Sequence, residues 1–214
     1  MIGRNNLIES KKLHILYIVQ PISEYEFGGA DMHVLELCSN IKLKTLIEPI
    51  VLLRKNERLK ERFIEKGVNC FCGSHKKNIF GYIRWANSVL VKYPFKIIHS
   101  HGYDANYHMV LLKMLYPRKW KYINSVITCH GWIETTIYLK VKTWLDFVCY
   151  NFASALIVCS SSNLSRLEHL DKNIIKTYIP NGIAFSDDNT QNHELFMIVN
   201  NILKEDKKKN CLYR

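Results

Sequence analysis

Residues 96–117 read KIIHSHGYDANYHMVLLKMLYP, and the hydrophobic period changes partway along them. KIIHSH is a short apolar run with two histidines at its carboxyl end, which predicts a strand. DANYHMVLLKML then places apolar residues at helical spacing, with Asp104 as the expected N-cap and Pro117 as the stop. A strand that hands the chain straight to a helix is half of a βαβ unit.

The same alternation extends in both directions. Upstream, LHILYIVQ (residues 13–20) predicts a first strand, and ADMHVLELCSNI a helix carrying Met32, Leu35 and Ile41. IEPIVLL and VNCFC predict two further strands, with Pro49 expected to leave the former short or irregular at its start. Arg58, Lys60 and Arg62 interleave with Glu57, Glu61 and Glu65, the mark of a solvated helix. Ile79, Ile83, Ala86 and Leu90 recur at amphipathic spacing and stop before Pro94.

Downstream, SVITCHG and SALIVCS predict strands. Between them Ile137, Val141, Trp144, Val148 and Phe152 mark a long helix, expected to bury that face. A helix opened by Ser162 or Asn163 and a last strand, IIKTYIPNGI, follow. About seven strands with helices between most of them predict an α/β fold: a Rossmann-like, doubly wound parallel sheet. One domain is expected over residues 1–183. A polar linker (FSDDNTQNH) and a short helix with Leu195, Ile198, Val199 and Ile202 fall within 184–214.

Bulk properties narrow the function classes. The chain has 214 residues, 48% hydrophobic and 23% charged, which excludes a disordered protein. No run approaches the roughly 18 apolar residues of a bilayer span. MIGRNNLIESKK has no apolar signal core, so the expected compartment is the cytoplasm. Seven scattered cysteines read as reduced thiols in apolar surroundings. A formal charge of +11 calls for an anionic partner. The basic residues are dispersed without interleaved aromatics, which argues against nucleic acid and for peripheral contact with an anionic membrane at its inner face.

In doubly wound sheets ligands sit beyond the carboxyl ends of the strands, and the polar oddities of this sequence collect there. Gly28 and Gly29 separate the first strand from the first helix, where bare backbone and a helix N-terminus suit a phosphate; an empty tight turn fits equally well. His99 and His101 end one strand and His130 the next. With Cys129 they include metal-ligand types, but Cys129 and His130 are adjacent in a strand and point to opposite faces. We expect no metal. No G-x-S-x-G elbow supports a nucleophilic triad.

The ordered series LHILYIVQ, FGGADMHVLEL, IIHSHGYDA, VITCHG, ALIVCSS and YIPNGI resembles the N-terminal domain of the retaining, GT-B-fold glycosyltransferases of family four. The resemblance implies a nucleotide-sugar donor, a glycan or lipid-linked acceptor and no metal cofactor. Gly28 and Gly29 match the glycine loop facing the donor diphosphate. His101, Tyr103 and Ser160 match positions lining the acceptor side. His130 matches the strand-end histidine near the transferred sugar, and Asn181–Gly182 the turn into the second domain. Ala184 stands where the family usually carries an acid.

The family's second, nucleotide-gripping domain has no counterpart in the sequence, and KKKNCLYR resembles the lead into it. The resemblance therefore predicts a chain truncated before the donor-binding domain and inactive on its own. The alternative is a non-catalytic interaction domain or remnant that pairs with a separate donor-binding subunit or a membrane complex. An unrelated dinucleotide-binding domain is disfavoured because the glycine loop lacks G-x-G-x-x-G.

Overall fold

A computed structural model describes residues 12–21, 23–26, 28–44, 46–132 and 134–180. The expected turn at Asn181–Gly182, the linker, the helix bearing Leu195 to Ile202 and the lysine-rich end lie outside the described residues.

Seven parallel strands form one sheet in the order β3-β2-β1-β4-β5-β6-β7. They are β1 (Leu13–Val19), β2 (Ile47–Leu53), β3 (Asn69–Cys72), β4 (Ile97–His101), β5 (Asn124–Cys129), β6 (Ala155–Val158) and β7 (Ile175–Tyr178). The chain winds outward from β1 to β3, returns to the other side of β1 for β4, and continues outward to β7. That reversal makes the gap between β1 and β4 a topological switch point.

Helices cover both faces because each crossover must return to the same end of the sheet. On one face, α1 (Gly29–Lys44) and α2 (Glu57–Glu65) bury Val34, Leu35, Cys38, Leu59 and Phe63 against Ile15, Tyr17 and Val51. On the other lie α3 (Ile79–Leu90), α4 (Tyr103–Leu115), the short α5 (Pro117–Trp120), α6 (Ile137–Tyr150) and α7 (Ser161–Ser165). There Tyr82, Ile83, Met109, Leu112 and Trp120 pack on Leu16, Ile50, Ile98 and Ile127. Burying one such aliphatic side chain stabilises the fold by about 1.5–3 kcal/mol. All six described cysteines are free thiols; Cys211 lies outside the described residues.

Four local expectations need correction. Strand β2 is regular from Ile47, with Pro49 paired to Ile15; β3 joins only from Ile50, so proline sits where β2 is paired on one side. Asp104 does not cap α4. Gly102, at φ 85°, occupies that position and Asp104 stands in the first turn, where its carboxylate meets Lys142 Nζ at 2.9 Å. Helix α7 starts at Ser161 after Ser160, ahead of the expected Ser162 or Asn163.

The fourth concerns α6, whose apolar stripe faces outward: Ile137 is 82% exposed and Trp144 65%. Its inward face is Thr143, Asp146, Cys149 and Tyr150. Asp146 accepts from Asn106 Nδ2 at 2.6 Å and from the Tyr150 hydroxyl, while Ser100 Oγ donates to Asn106 Oδ1 at 2.6 Å. A hydrogen-bonded chain thus occupies the place that periodicity reserves for hydrocarbon. Burial pushes the Asp146 carboxyl up to about 6 despite the donors around it.

Candidate functional site: a histidine rim at the sheet switch point

The rim is built by a device used twice. His101 ends β4 and is followed by Gly102 at φ 85°; His130 follows β5 and is succeeded by Gly131 at φ 118°. A side chain is strained at such angles, so glycine lets the chain turn off the sheet immediately after each histidine. Register then sets the neighbours: Val19 of β1 lies opposite His101, and His101 lies opposite Thr128.

Alternation turns His99 and His101 to the α1 face and Ser100 to the α4 face. The His99 and His101 rings lie 4.2 Å apart, with Tyr17 against both at 5.2 and 6.1 Å. His99 Nε2 is hydrogen-bonded to Thr128 Oγ1 at 2.7 Å. His101 Nδ1 meets His130 Nε2 at 3.2 Å, and His130 Nδ1 faces the Cys159 thiol at 3.6 Å. His33, on α1, completes the group with its ring 5.7 Å from His130 and 6.3 Å from His101. His33 escaped the sequence reading because a histidine inside a helical stretch carries no positional signal; its place one turn beyond Gly29 is the clue that existed.

The electrostatics follow from burial. Desolvation lowers His33, takes His130 to about 4 and His99 to about 3, and drives His101 well below the usual value. Mutual repulsion pushes His99, His101 and His130 the same way. The rim is therefore neutral at physiological pH and offers hydrogen-bonding nitrogens without charge. His101 Nε2 is buried without a hydrogen-bond partner among the described residues. An orphaned buried nitrogen costs about 1–3 kcal/mol, so its retention asks for a reason.

Gly28 and Gly29 open α1, and His33 joins that loop to the histidines. Gly28 N–H is already held by Asp31 Oδ2 at 2.7 Å. The N–H groups of Gly29 and Ala30 have no intrahelical partner by helix geometry, and a Cβ on Gly29 would meet nothing within 4 Å. Tyr103 stands just past Gly102, its hydroxyl 3.5 Å from both the Gly131 carbonyl and Thr143 Oγ1. The structure thus brings Gly28, Gly29, His101, Tyr103 and His130 to one end of the sheet. Ser160 is bonded to Ser162 Oγ at 2.7 Å and reaches the cluster only through its neighbour Cys159. Among the described residues no three His, Cys, Asp or Glu side chains are disposed to share a metal ion.

Comparison with known proteins places this rim in context. No curated protein sequence gives a significant match. Among solved structures, HepE from Anabaena in complex with UDP-glucose superposes with a TM-score of 0.61 at 15% identity, over 80% of this chain and 44% of that one. Sucrose-phosphate synthase from Thermosynechococcus elongatus gives 0.56 at 12% identity, over 80% and 49%. The lipopolysaccharide outer core galactosyltransferase WaaB gives 0.56 at 11%, over 80% and 47%. The chain spans about half the length of these proteins, and the likeness establishes a shared fold. The model of Glycosyltransferase Family 4 matches residues 27–186, from the glycine loop past β7, so this chain belongs to that family and has the architecture of its N-terminal GT-B domain.

Proposed function

We propose that this domain is the acceptor-side wall of a retaining glycosyltransferase that moves a sugar from a nucleotide-sugar donor to a glycan or lipid-linked acceptor. The donor nucleotide is gripped by a second, C-terminal domain across the cleft. The observation that carries the reading is the convergence at the switch point: an uncharged histidine rim whose His101 Nε2 has no partner among the described residues, beside a glycine-opened helix start. Ligands of doubly wound sheets occupy this place.

The chemistry asked of these residues is modest. Sugar transfer passes through an oxocarbenium-like transition state in which the leaving diphosphate gains charge, and oriented donors aimed at that charge lower the barrier. The N–H groups of Gly29 and Ala30 point from the positive end of α1 and serve that purpose. His130, neutral and tethered through His101, is a positioning contact for the transferred sugar. His101, Tyr103 and Ser160 line the acceptor side, and no metal or other cofactor is required.

The test is a transfer assay with a panel of nucleotide sugars and of glycan and lipid-linked acceptors. The 214-residue chain is assayed alone and joined to the donor-binding domain of a family member. The reading predicts turnover only in the joined form, lowered about 10²-fold or more by His130→Ala. Robust turnover by the chain alone overturns the need for a second domain. Joined protein that transfers from no donor overturns the enzymatic reading.

A further inference from the structure

Helix α6 is inside out. Its Thr143 and Asp146 face the core, while Ile137, Val141, Trp144, Leu145, Val148 and, just beyond its end, Phe152 are 40–82% exposed on the outside. These positions fall on one side of a helix about 21 Å long. A groove of ≈ 450 Å³ runs beside Trp144 and Val148, closed on its other side by His169, Leu170 and Asp171. A contiguous apolar strip of this kind on a globular domain marks a docking surface.

Charge identifies the occupant. The exposed side of α6 carries Lys140, with Lys142 beside it on Asp104; the one carboxylate of the helix, Asp146, points inward, and Asp171 stands across the groove. The chain as a whole is +11, so a second copy would be repelled and an anionic surface attracted. Tryptophan amid aliphatic residues, flanked by lysine, suits the headgroup boundary of a bilayer.

We propose that the outward face of α6 docks this domain on an anionic lipid bilayer, with Val141, Trp144 and Val148 seated at the headgroup–acyl boundary and Lys140 on lipid phosphates. The helix lies in the plane of the membrane rather than across it; no helix among the described residues is long and apolar enough to span one. This docking is independent of the sugar-transfer reading.

The experiment is co-sedimentation of the full chain with phosphatidylcholine vesicles, with and without phosphatidylglycerol. Expected is binding that needs the anionic lipid, weakens with salt and drops about tenfold or more in Val141→Glu/Trp144→Glu. Both positions are exposed, and an unchanged melting temperature verifies the folded state of the variant. Addition of anionic vesicles is also expected to blue-shift tryptophan emission in the parent chain and not in Trp144→Phe, which still binds. No sedimentation with anionic vesicles, or equal binding by the double variant, overturns the proposal. So does a stable dimer in solution that the double variant dissociates while vesicles bind neither protein, since the face then belongs to a second copy. Soluble glycerol phosphate is not expected to compete.

Discussion

Lowering the pH from about 8 to about 5 is expected to cost the domain on the order of 4–5 kcal/mol of folding stability, and four buried groups carry most of it. His99 and His108 each hold a value of about 3 and His130 one of about 4 in the folded chain, against about 6.5 in an unfolded one. Between these limits the unfolded chain binds more protons, so stability is lost as pH falls; at about pH 5 each histidine contributes a loss of about 2 kcal/mol. Asp146 works in the opposite direction. Its carboxyl is raised to about 6, so the folded chain takes the proton first and gains about 1.4 kcal/mol over the same interval. His101, lowered further still, shares its repulsion with its neighbours and adds to the loss. Urea unfolding followed by circular dichroism, in steps of pH at constant ionic strength, measures the sum. His130→Gln keeps a hydrogen-bonding group beside His101 and removes one titration, so its acid sensitivity should be smaller by about 2 kcal/mol. Stability that stays flat or rises toward about pH 5 would refute the placement of uncharged histidines in a dry rim.

Three further outcomes follow from the same geometry. Asp146→Ala leaves Asn106 Nδ2 and the Tyr150 hydroxyl without their acceptor; a loss of about 2–5 kcal/mol is expected in chemical denaturation, with Asp146→Asn losing clearly less. Gly73→Ala places a Cβ 2.6–2.7 Å from the Tyr82 and Trp85 rings. Because Tyr82 is fully buried, thermal melting should show a loss of about 1–3 kcal/mol. Gly29→Ala meets no atom, so its melting temperature should hold or rise, while transfer by the completed enzyme falls if the loop must admit a diphosphate.

The strands were legible because each is a short apolar run between turn residues, and parallel strands buried on both faces need nothing subtler. The family motifs were legible for the same reason, since they sit at strand ends. What failed was orientation. Periodicity shows that Ile137, Val141, Trp144 and Val148 share a side of α6, but the pairing of Asp146 with Asn106, distant in sequence, decides which side turns inward. Asp104 was assigned to a cap for its chemistry, yet the sharp exit from β4 requires a positive φ that only Gly102 supplies cheaply. At the site, His101 and His130 were visible as strand ends. His33 and Cys159 join them only through the packing of α1 and β6 around the switch point.

The strand order has a consequence for how the molecule is made. Ile15 of β1 finds its partner Pro49 early, but its other partner, Ile97, emerges from the ribosome much later. At ordinary translation speed the interval is on the order of ten seconds. Throughout it, one hydrogen-bonding margin of a central, largely buried strand stands open on a nascent chain, a template for pairing with its neighbours on the same message. Shielding by chaperones during that interval, more than the stability of the finished sheet, is expected to govern how much native protein a cell recovers.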